Sequence, residues 1–183
     1  MTRCFKTFII CLAFFMLAWA PLSKSSETPK PNLKGVYIGQ SLKSFDDAHG
    51  GCTEMRGRNT NMCYIPTTEF GVGIYARITA FFIDGKCVDA IVSEIHPEDF
   101  NQIISGLNSK FRKHGRSHKF VVSNSLGAKF LNQEVVWRFG KIKVTAIKYS
   151  GDITESTVEL YSSGMKEYER RMKGSASENA AKM

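Results

Sequence analysis

The alternation of apolar and other residues from residue 73 to residue 95 predicts a β-hairpin. Residues 73–83 are rich in β-branched and aromatic side chains, and Asp84-Gly85 is a turn sequence. We expect a three-residue loop, Ile83 to Gly85, with Gly85 in the left-handed position of a bulge, because this register gives one wholly apolar face. A two-residue turn would bring polar residues onto that face. The predicted apolar face comprises Ile74, Ala76, Ile78, Ala80, Phe82, Val88, Ala90 and Val92.

The segment after this hairpin has the periodicity of an amphipathic helix. Pro97 suits the first helical position, and Gly115 is expected to cap the C-terminal end. We expect this helix to lie across the apolar face of the hairpin. Its apolar stripe comprises Phe100, Ile103, Ile104, Leu107 and Phe111.

The remaining pattern predicts further short strands and two more helices. One helix begins after Ser41, a suitable N-cap, and a terminal helix spans Met165 to Lys173. Residues 123–133 are predicted to be irregular. Together these elements predict an α+β fold, a two-layer sandwich of mostly antiparallel sheet with helices packed on one face. Strands are expected at residues 62–65, 119–122, 135–139, 141–149 and 157–161.

The N-terminal segment has the pattern of a secretory signal peptide. Arg3 and Lys6 precede an uncharged apolar run from Phe8, and no acidic residue occurs before Glu27. We therefore divide the chain into a signal peptide (1–25), a polar linker (26–33), a single domain (34–173) and a disordered tail (174–183). Two helix-plus-strands halves, 34–95 and 96–162, suggest a duplicated unit. Export to the periplasm or the medium is expected, with an inner-membrane anchor as the alternative if the leader is retained.

The net charge is +8, and loss of Arg3, Lys6 and Lys24 with the leader lowers it by three, to +5. Such a mild positive charge suits an acidic partner or an anionic surface as well as simple solubility. Nucleic acid is not an expected partner of an exported protein of this kind.

Three cysteines lie outside the leader, which in an oxidising compartment predicts one disulfide and one leftover thiol. Cys52 and Cys63 flank a polar loop and are the favoured pair. Cys87 is placed on the less apolar face of the hairpin, and its pairing with Cys63 is the open alternative. The sequence has neither a C-x-x-C motif nor a suitably spaced histidine pair, so no metal or other cofactor is expected.

Several short features resemble those of uncharacterised exported bacterial proteins. They are the Lys34–Leu42 opening, the paired Cys52 and Cys63, the Phe82–Lys86 turn, the Lys110–Gly115 helix end and the later strand that contains Trp137. In this respect the chain is similar to the BamE-like and β-lactamase-inhibitor-like helix-on-sheet families. The resemblance implies a bacterial envelope protein with a two-layer fold. It implies no assembly role, because the chain lacks a lipoprotein cysteine.

Two surfaces are candidates for binding. Five basic residues could bind an anion such as a lipid headgroup or an acidic protein, although the cationic end of a helix followed by a solvated loop is the favoured explanation. Three aromatic residues could form a partner face. The basic set is Lys110, Arg112, Lys113, Arg116 and Lys119, and the aromatic set is Trp137, Tyr149 and Tyr161.

Catalytic signatures are absent from the sequence. His114 and His118 are four residues apart, but Gly115 interrupts the helix that would align them, so they are interpreted as surface residues. We therefore predict a non-enzymatic binding or scaffold protein of the bacterial envelope. A secreted enzyme inhibitor is the alternative, and a small envelope hydrolase is a third hypothesis.

Overall fold

The computed structural model describes residues 30–55 and 59–180, and the predicted signal peptide lies outside these ranges. Within these ranges there are three helices: α1 (Leu42–His49), α2 (Phe100–Phe111) and α3 (Met165–Ala180). A short 3-10 turn, Pro97–Asp99, precedes α2. The strands are β1 (Asn32–Leu33), β2 (Val36–Tyr37), β3 (Cys52–Met55), β4 (Thr60–Gly71), β5 (Ile74–Ile83), β6 (Lys86–Ile95), β7 (Arg116–Ser123), β8 (Lys129–Phe139), β9 (Ile142–Ile147) and β10 (Ser156–Tyr161).

Eight strands form one antiparallel sheet in the order β3-β4-β5-β6-β10-β9-β8-β7, so the fold class is α+β. Strands β1 and β2 form a separate small ladder. Each half of the described chain supplies a helix followed by four antiparallel strands, and the last strand of each half pairs at the centre of the sheet. Duplication of the sequence stays a prediction, whereas the repeated element order is an observation.

The main hydrophobic core is one cluster of buried residues to which strands of the sheet and the helices α1 and α2 contribute. Ser41 caps α1 as predicted, because its Oγ accepts a hydrogen bond from Ser44 N at 3.1 Å. Phe45 of α1 packs edge-on against Phe82 of β5, with ring centroids 5.4 Å apart. From α2, the stripe residues Phe100, Ile103 and Leu107 are buried. The predicted face of β5 is buried along its whole length, at Ile74, Ala76, Ile78, Ala80 and Phe82.

The turn between β5 and β6 corrects the predicted loop. Ile83 pairs with Lys86, so the turn has two residues, and Asp84 and Gly85 both have positive φ, as a type I′ turn requires. The extra residue lies instead in β6, where a bulge separates the Phe82–Cys87 pair from the Phe81–Asp89 pair. The bulge restores the apolar register beyond it.

Cys87 is therefore on the core face, opposite Phe82, and is 1% exposed, which corrects its predicted position on the less apolar face. It is a free thiol, whereas Cys52 and Cys63 form the predicted disulfide across β3 and β4. Burial raises the pKa of Cys87 to about 12, which keeps the thiol protonated and unreactive.

The end of α2 differs from its prediction. The helix stops at Phe111, and Arg112, in the left-handed conformation, is its C-cap in place of Gly115. Gly115 is required for another reason: a Cβ there would lie 2.6 Å from the Trp137 ring. Asn108 fixes this close approach because its Oδ1 accepts hydrogen bonds from Gly115 N and Trp137 Nε1, both at 3.0 Å.

The third helix shows that the helices do not all pack on one face. Tyr168 of α3 contacts Phe81, which points away from the face that Phe82 occupies, with ring centroids 5.2 Å apart. Helix α3 also continues to Ala180, beyond the predicted end at Lys173, so residues 174–180 are helical rather than the start of a disordered tail. A glycine at position 174 costs only about 1 kcal/mol in a helix and does not stop it.

The predicted linker overlaps the folded domain. Leu33 is fully buried and pairs with Val36, so the domain begins before the predicted boundary at residue 34. Along residues 30–55 and 59–180, no helix is both long enough and apolar enough to span a membrane.

Candidate functional site

The hairpin at one edge of the sheet exposes apolar side chains that the core does not use. It comprises β7, the turn 124–128 and the first four residues of β8, and we call residues 116–132 the edge hairpin. Val121 and Leu131 are paired across the two strands and are 61% and 60% exposed. Farther along β8, Val135 and Trp137 are buried. The outer part of the hairpin thus extends past the region that the core covers.

The opposite face of the edge hairpin carries aromatic residues. Phe120 stacks on His118 with centroids 5.6 Å apart, and Phe130 contacts the Tyr149 ring at 6.0 Å. Asn132 fixes Tyr149 because the two residues exchange hydrogen bonds through the Asn132 side chain and the Tyr149 backbone, at 2.9 and 3.0 Å. Both faces of the hairpin therefore offer apolar contact area.

The turn at the tip of the edge hairpin exposes a leucine side chain to solvent. Asn124 Oδ1 accepts hydrogen bonds from Leu126 N and Ala128 N at 3.1 and 2.9 Å, and Asn124 O accepts one from Gly127 N. Gly127 has φ +81°, which its lack of a Cβ permits. Leu126 is 91% exposed. Asn124 N also donates to Ala128 O, so four hydrogen bonds present this leucine in a defined position, which limits the entropy lost on binding.

The edge hairpin is also basic. Its sequence contains Arg116, Lys119 and Lys129 and no acidic residue. Strand β7 is the last strand of the sheet, so one side of its backbone has no strand beside it in the described structure. Seven of its eight residues are exposed, the exception being half-buried Val122. The surface thus combines free backbone groups, apolar side chains and positive charge.

The predicted basic cluster does not form one patch. Lys110 turns towards Asn32, and its Nζ donates a hydrogen bond to Asn32 Oδ1 at 2.9 Å. Lys113 donates to Arg138 O and lies over the Phe139 ring. Arg112 is exposed at the helix cap. Arg116 and Lys119 belong to β7, where their separation of three residues puts them on opposite faces of the strand.

The predicted aromatic face is divided in the same way. Trp137 is 1% exposed and belongs to the core, so its prediction as a partner-binding residue is wrong. Tyr161 is half-buried on the opposite face of the sheet, with Lys143 Nζ 5.1 Å from its ring centroid. Tyr149 alone lies beside the edge hairpin, where it lines two surface depressions of about 610 and 660 Å³.

A pair of carboxyl groups lies on the central strands, on the face that α3 contacts. Asp89 of β6 is completely buried, and its two carboxyl oxygens have no hydrogen-bond partner among the described residues. Burial, and then the negative charge of Glu159 on β10, raise the pKa of Asp89 to about 8. Burial also raises the pKa of Glu159. Because Asp89 is inaccessible, a substrate cannot reach it in this conformation.

The histidines form no metal-binding constellation. His114 and His118 are exposed, as predicted, and His49 packs against Phe45 with centroids 4.9 Å apart. Across the part of the chain that the structure describes, no group of three or more His, Cys, Asp or Glu side chains could hold a metal ion.

Sequence reasoning missed the outer residues of the edge hairpin. Residues 123–133 look irregular because Asn124 to Gly127 is a turn sequence and Asn132-Gln133-Glu134 interrupts the apolar alternation. The available signal was the apolar pair Phe130-Leu131, which mirrors Val121-Val122 across Asn124 to Gly127. That symmetry is what a hairpin centred on residue 126 produces.

Comparison of the chain with models of protein families, with curated proteins and with solved structures finds no match.

Proposed function

We propose that this chain is a non-enzymatic binding protein whose edge hairpin takes up an extended segment of a partner protein. The segment would pair with β7 as an added antiparallel or parallel strand, in the manner of β-augmentation. The observation that carries the proposal is the eight-residue edge strand β7, of which seven residues are exposed. Exposed apolar side chains lie on this strand and on its neighbour β8, at Val121 and Leu131. Backbone pairing would supply affinity, and side-chain contacts on the two faces would supply specificity.

The charge of the edge hairpin supports a partner segment that is acidic as well as apolar. Three basic residues without an acidic one would attract such a segment and speed its association. Two copies of β7 would instead bring like charges together, which disfavours pairing of the chain with itself. The segment we propose therefore alternates apolar and acidic side chains.

We also propose export into an oxidising compartment of the bacterial envelope. The Cys52–Cys63 disulfide supports this location because such bonds are rare in the cytosol. The leader pattern and the weak resemblance to BamE-like and inhibitor-like proteins support it from the sequence. A two-layer arrangement, with α1 and α2 on one face of the sheet, is supported by the Phe45–Phe82 and Phe111–Trp137 contacts.

An enzyme inhibitor is the second candidate, and the tip of the edge hairpin favours it. Leu126 is 91% exposed on a turn that Asn124 holds rigid. A fixed apolar side chain on a projecting turn suits insertion into the cleft of another enzyme, where preorganised loops bind with little change of shape. In this form of the proposal Leu126, rather than the β7 backbone, makes the principal contact.

Site-specific photo-crosslinking tests the proposed interface. We would place p-benzoylphenylalanine at Val121 in β7 or at exposed Thr53 in β3, and irradiate each protein in a bacterial envelope extract. We expect a discrete adduct from position 121 that is absent from position 53, because both sites are at sheet edges but β3 has four residues and β7 has eight. Mass spectrometry of the adduct would identify the partner segment.

Two outcomes would contradict the proposal. Equal adducts from both positions would indicate nonspecific contact, and an adduct of twice the chain mass would indicate self-association. The same label at Leu126 separates the two candidates. Capture at 126 without capture at 121 would favour the inhibitor, whereas capture at 121 favours strand addition.

A further inference from the structure

A second surface feature, which shares no residue with the edge hairpin, is a cavity between α2 and the β4–β5 turn. Its volume is about 440 Å³, within the range of small-molecule sites. Ile74, Ile103 and Leu107 belong to the core cluster, and Phe70 packs against it. Gln102 Nε2 donates a hydrogen bond to Val72 O at 3.0 Å and so ties the helix to the turn across the cavity. The interior is mainly apolar.

Two lysines line this apolar cavity. Lys34 follows β1, and Lys110 lies in the last turn of α2. The Lys110 ammonium donates to the neutral Asn32 Oδ1, and the described residues place no carboxylate in an ion pair with either lysine. Partial burial, and then the positive charge of Lys34, lower the pKa of Lys110. Two like charges without a counter-charge disfavour each other, and an anion bound beside them would relieve that repulsion.

One residue that lines the cavity is a glycine of α2. Gly106 is in the middle of α2 and lines the cavity, and a Cβ added there would meet nothing within 4 Å. An alanine would favour the helix by about 1 kcal/mol, so helix stability does not explain the glycine. The glycine therefore leaves open space at the lining of the cavity.

We propose that this cavity binds a single-chain amphipathic anion, with its aliphatic tail against Ile103 and Leu107 and its carboxylate beside Lys34 and Lys110. The apolar lining would exclude water from the tail, and the two ammonium groups would select a negative head group. The proposal does not depend on the edge hairpin, because none of the residues that line the cavity belongs to residues 116–132.

Isothermal titration with matched amphiphiles tests this site. Sodium decanoate and decyltrimethylammonium bromide, each below its micellar concentration, carry the same tail and opposite charges. We expect decanoate to bind the full chain at least about tenfold more tightly than the cation. Equal affinities, or no decanoate binding at millimolar concentration, would overturn the proposal.

Three variants locate the binding. Lys34→Gln combined with Lys110→Gln should weaken decanoate binding by about tenfold or more, whereas Lys86→Gln, which removes an exposed charge elsewhere, should leave it unchanged. Gly106→Leu should fill the cavity and abolish binding. Its unfolding midpoint in denaturant should not fall, since the leucine enters open space. Undiminished binding by a folded Gly106→Leu variant would show that the decanoate binds elsewhere.

Discussion

The two edges of the central sheet are protected to very different degrees. Strand β3 has four residues, and the Cys52–Cys63 disulfide joins it covalently to its neighbour β4. Strand β7 has eight residues and pairs with β8 only through the ladder and side chains. An exposed strand edge is a template for pairing with other chains, and natural proteins usually shorten, cover or charge it.

This difference supports binding at one edge only. The β3 edge is short, so it offers few free backbone groups to a partner. The β7 edge retains Phe120 and Val121 in exposed positions, where they contribute little to the core. Arg116 and Lys119 limit pairing between two copies through charge repulsion, yet attract an acidic segment. The same residues therefore deter self-association and favour a partner of opposite charge.

Among the changes that test this comparison, removal of the disulfide is expected to have the largest effect on the free energy of unfolding. Replacing Cys52 and Cys63 together by Ala should lower the free energy of unfolding by about 3 kcal/mol, because the unfolded chain regains the freedom of the closed loop. Guanidinium unfolding would measure the loss. Hydrogen exchange should show reduced protection in β3, while protection in β7 stays unchanged.

Reduction of the unmodified protein with dithiothreitol is the control, and it should give a similar loss. Cys87 should not interfere because its buried thiol is protonated at neutral pH. If the double variant lost less than about 1 kcal/mol, β3 would be held mainly by its backbone ladder, and the contrast between the two edges would be weakened.

The buried carboxyl at the centre of the sheet predicts a pH effect that is independent of both edges. The pKa of Asp89 is about 8 in the folded chain, above its ordinary value of 3.8. The folded state therefore keeps a proton that the unfolded state loses, and the free energy of unfolding falls as pH rises from about 4 to about 8. Asp89→Asn should remove this fall and stabilise the protein by about 2 kcal/mol at about pH 9, a value that allows for local relaxation around the charge.

Denaturant unfolding at a series of pH values would measure this effect. The two proteins should have similar stability at about pH 3, below both pKa values, where Asp89 is mostly protonated in the folded and the unfolded state. Glu159→Gln is the matched control and should have a smaller effect, because Glu159 is only half-buried. Glu169 and Lys143 also act on this pair electrostatically. A flat pH profile for the unmodified protein would contradict the assignment.

Much of the fold could be predicted from local pattern. The apolar face of β5, the α2 stripe and the disulfide all follow from spacings within short segments. The bulge in β6 could not be predicted, because a two-residue turn followed by a bulge and a three-residue loop place the same residues on each face from Asp89 onward and differ only between Lys86 and Val88. Burial of Cys87 opposite Phe82 decides between them, and that contact is tertiary.

The candidate site was harder to predict because its position depends on strand order. Residues 119–122 were predicted as a strand, but whether a strand lies at an edge is decided by the pairing of β6 with β10, which are far apart in the chain. The same pairing directs Trp137 into the core and Tyr161 to the opposite face. Aromatic residues alone therefore could not identify the binding surface.

The smallest expected effect on stability belongs to the edge hairpin itself. Val121→Lys or Leu131→Lys should change the free energy of unfolding by less than about 0.5 kcal/mol, because both side chains are already mostly in water. Thermal unfolding would measure this. The same substitutions should weaken binding of the cross-linked partner by about tenfold or more, because they place a charge in the apolar part of the contact.

This separation of stability from binding distinguishes an interface from an incompletely covered core. Lys86→Gln, a charge change at an exposed residue at the start of β6, should alter neither property and serves as the control. If Val121→Lys instead lowered the free energy of unfolding by more than about 1.5 kcal/mol, Val121 would be packed in solution and unavailable to a partner. Unchanged stability with lost binding would mean that these apolar residues serve recognition, which is the function that the open edge at β7 requires.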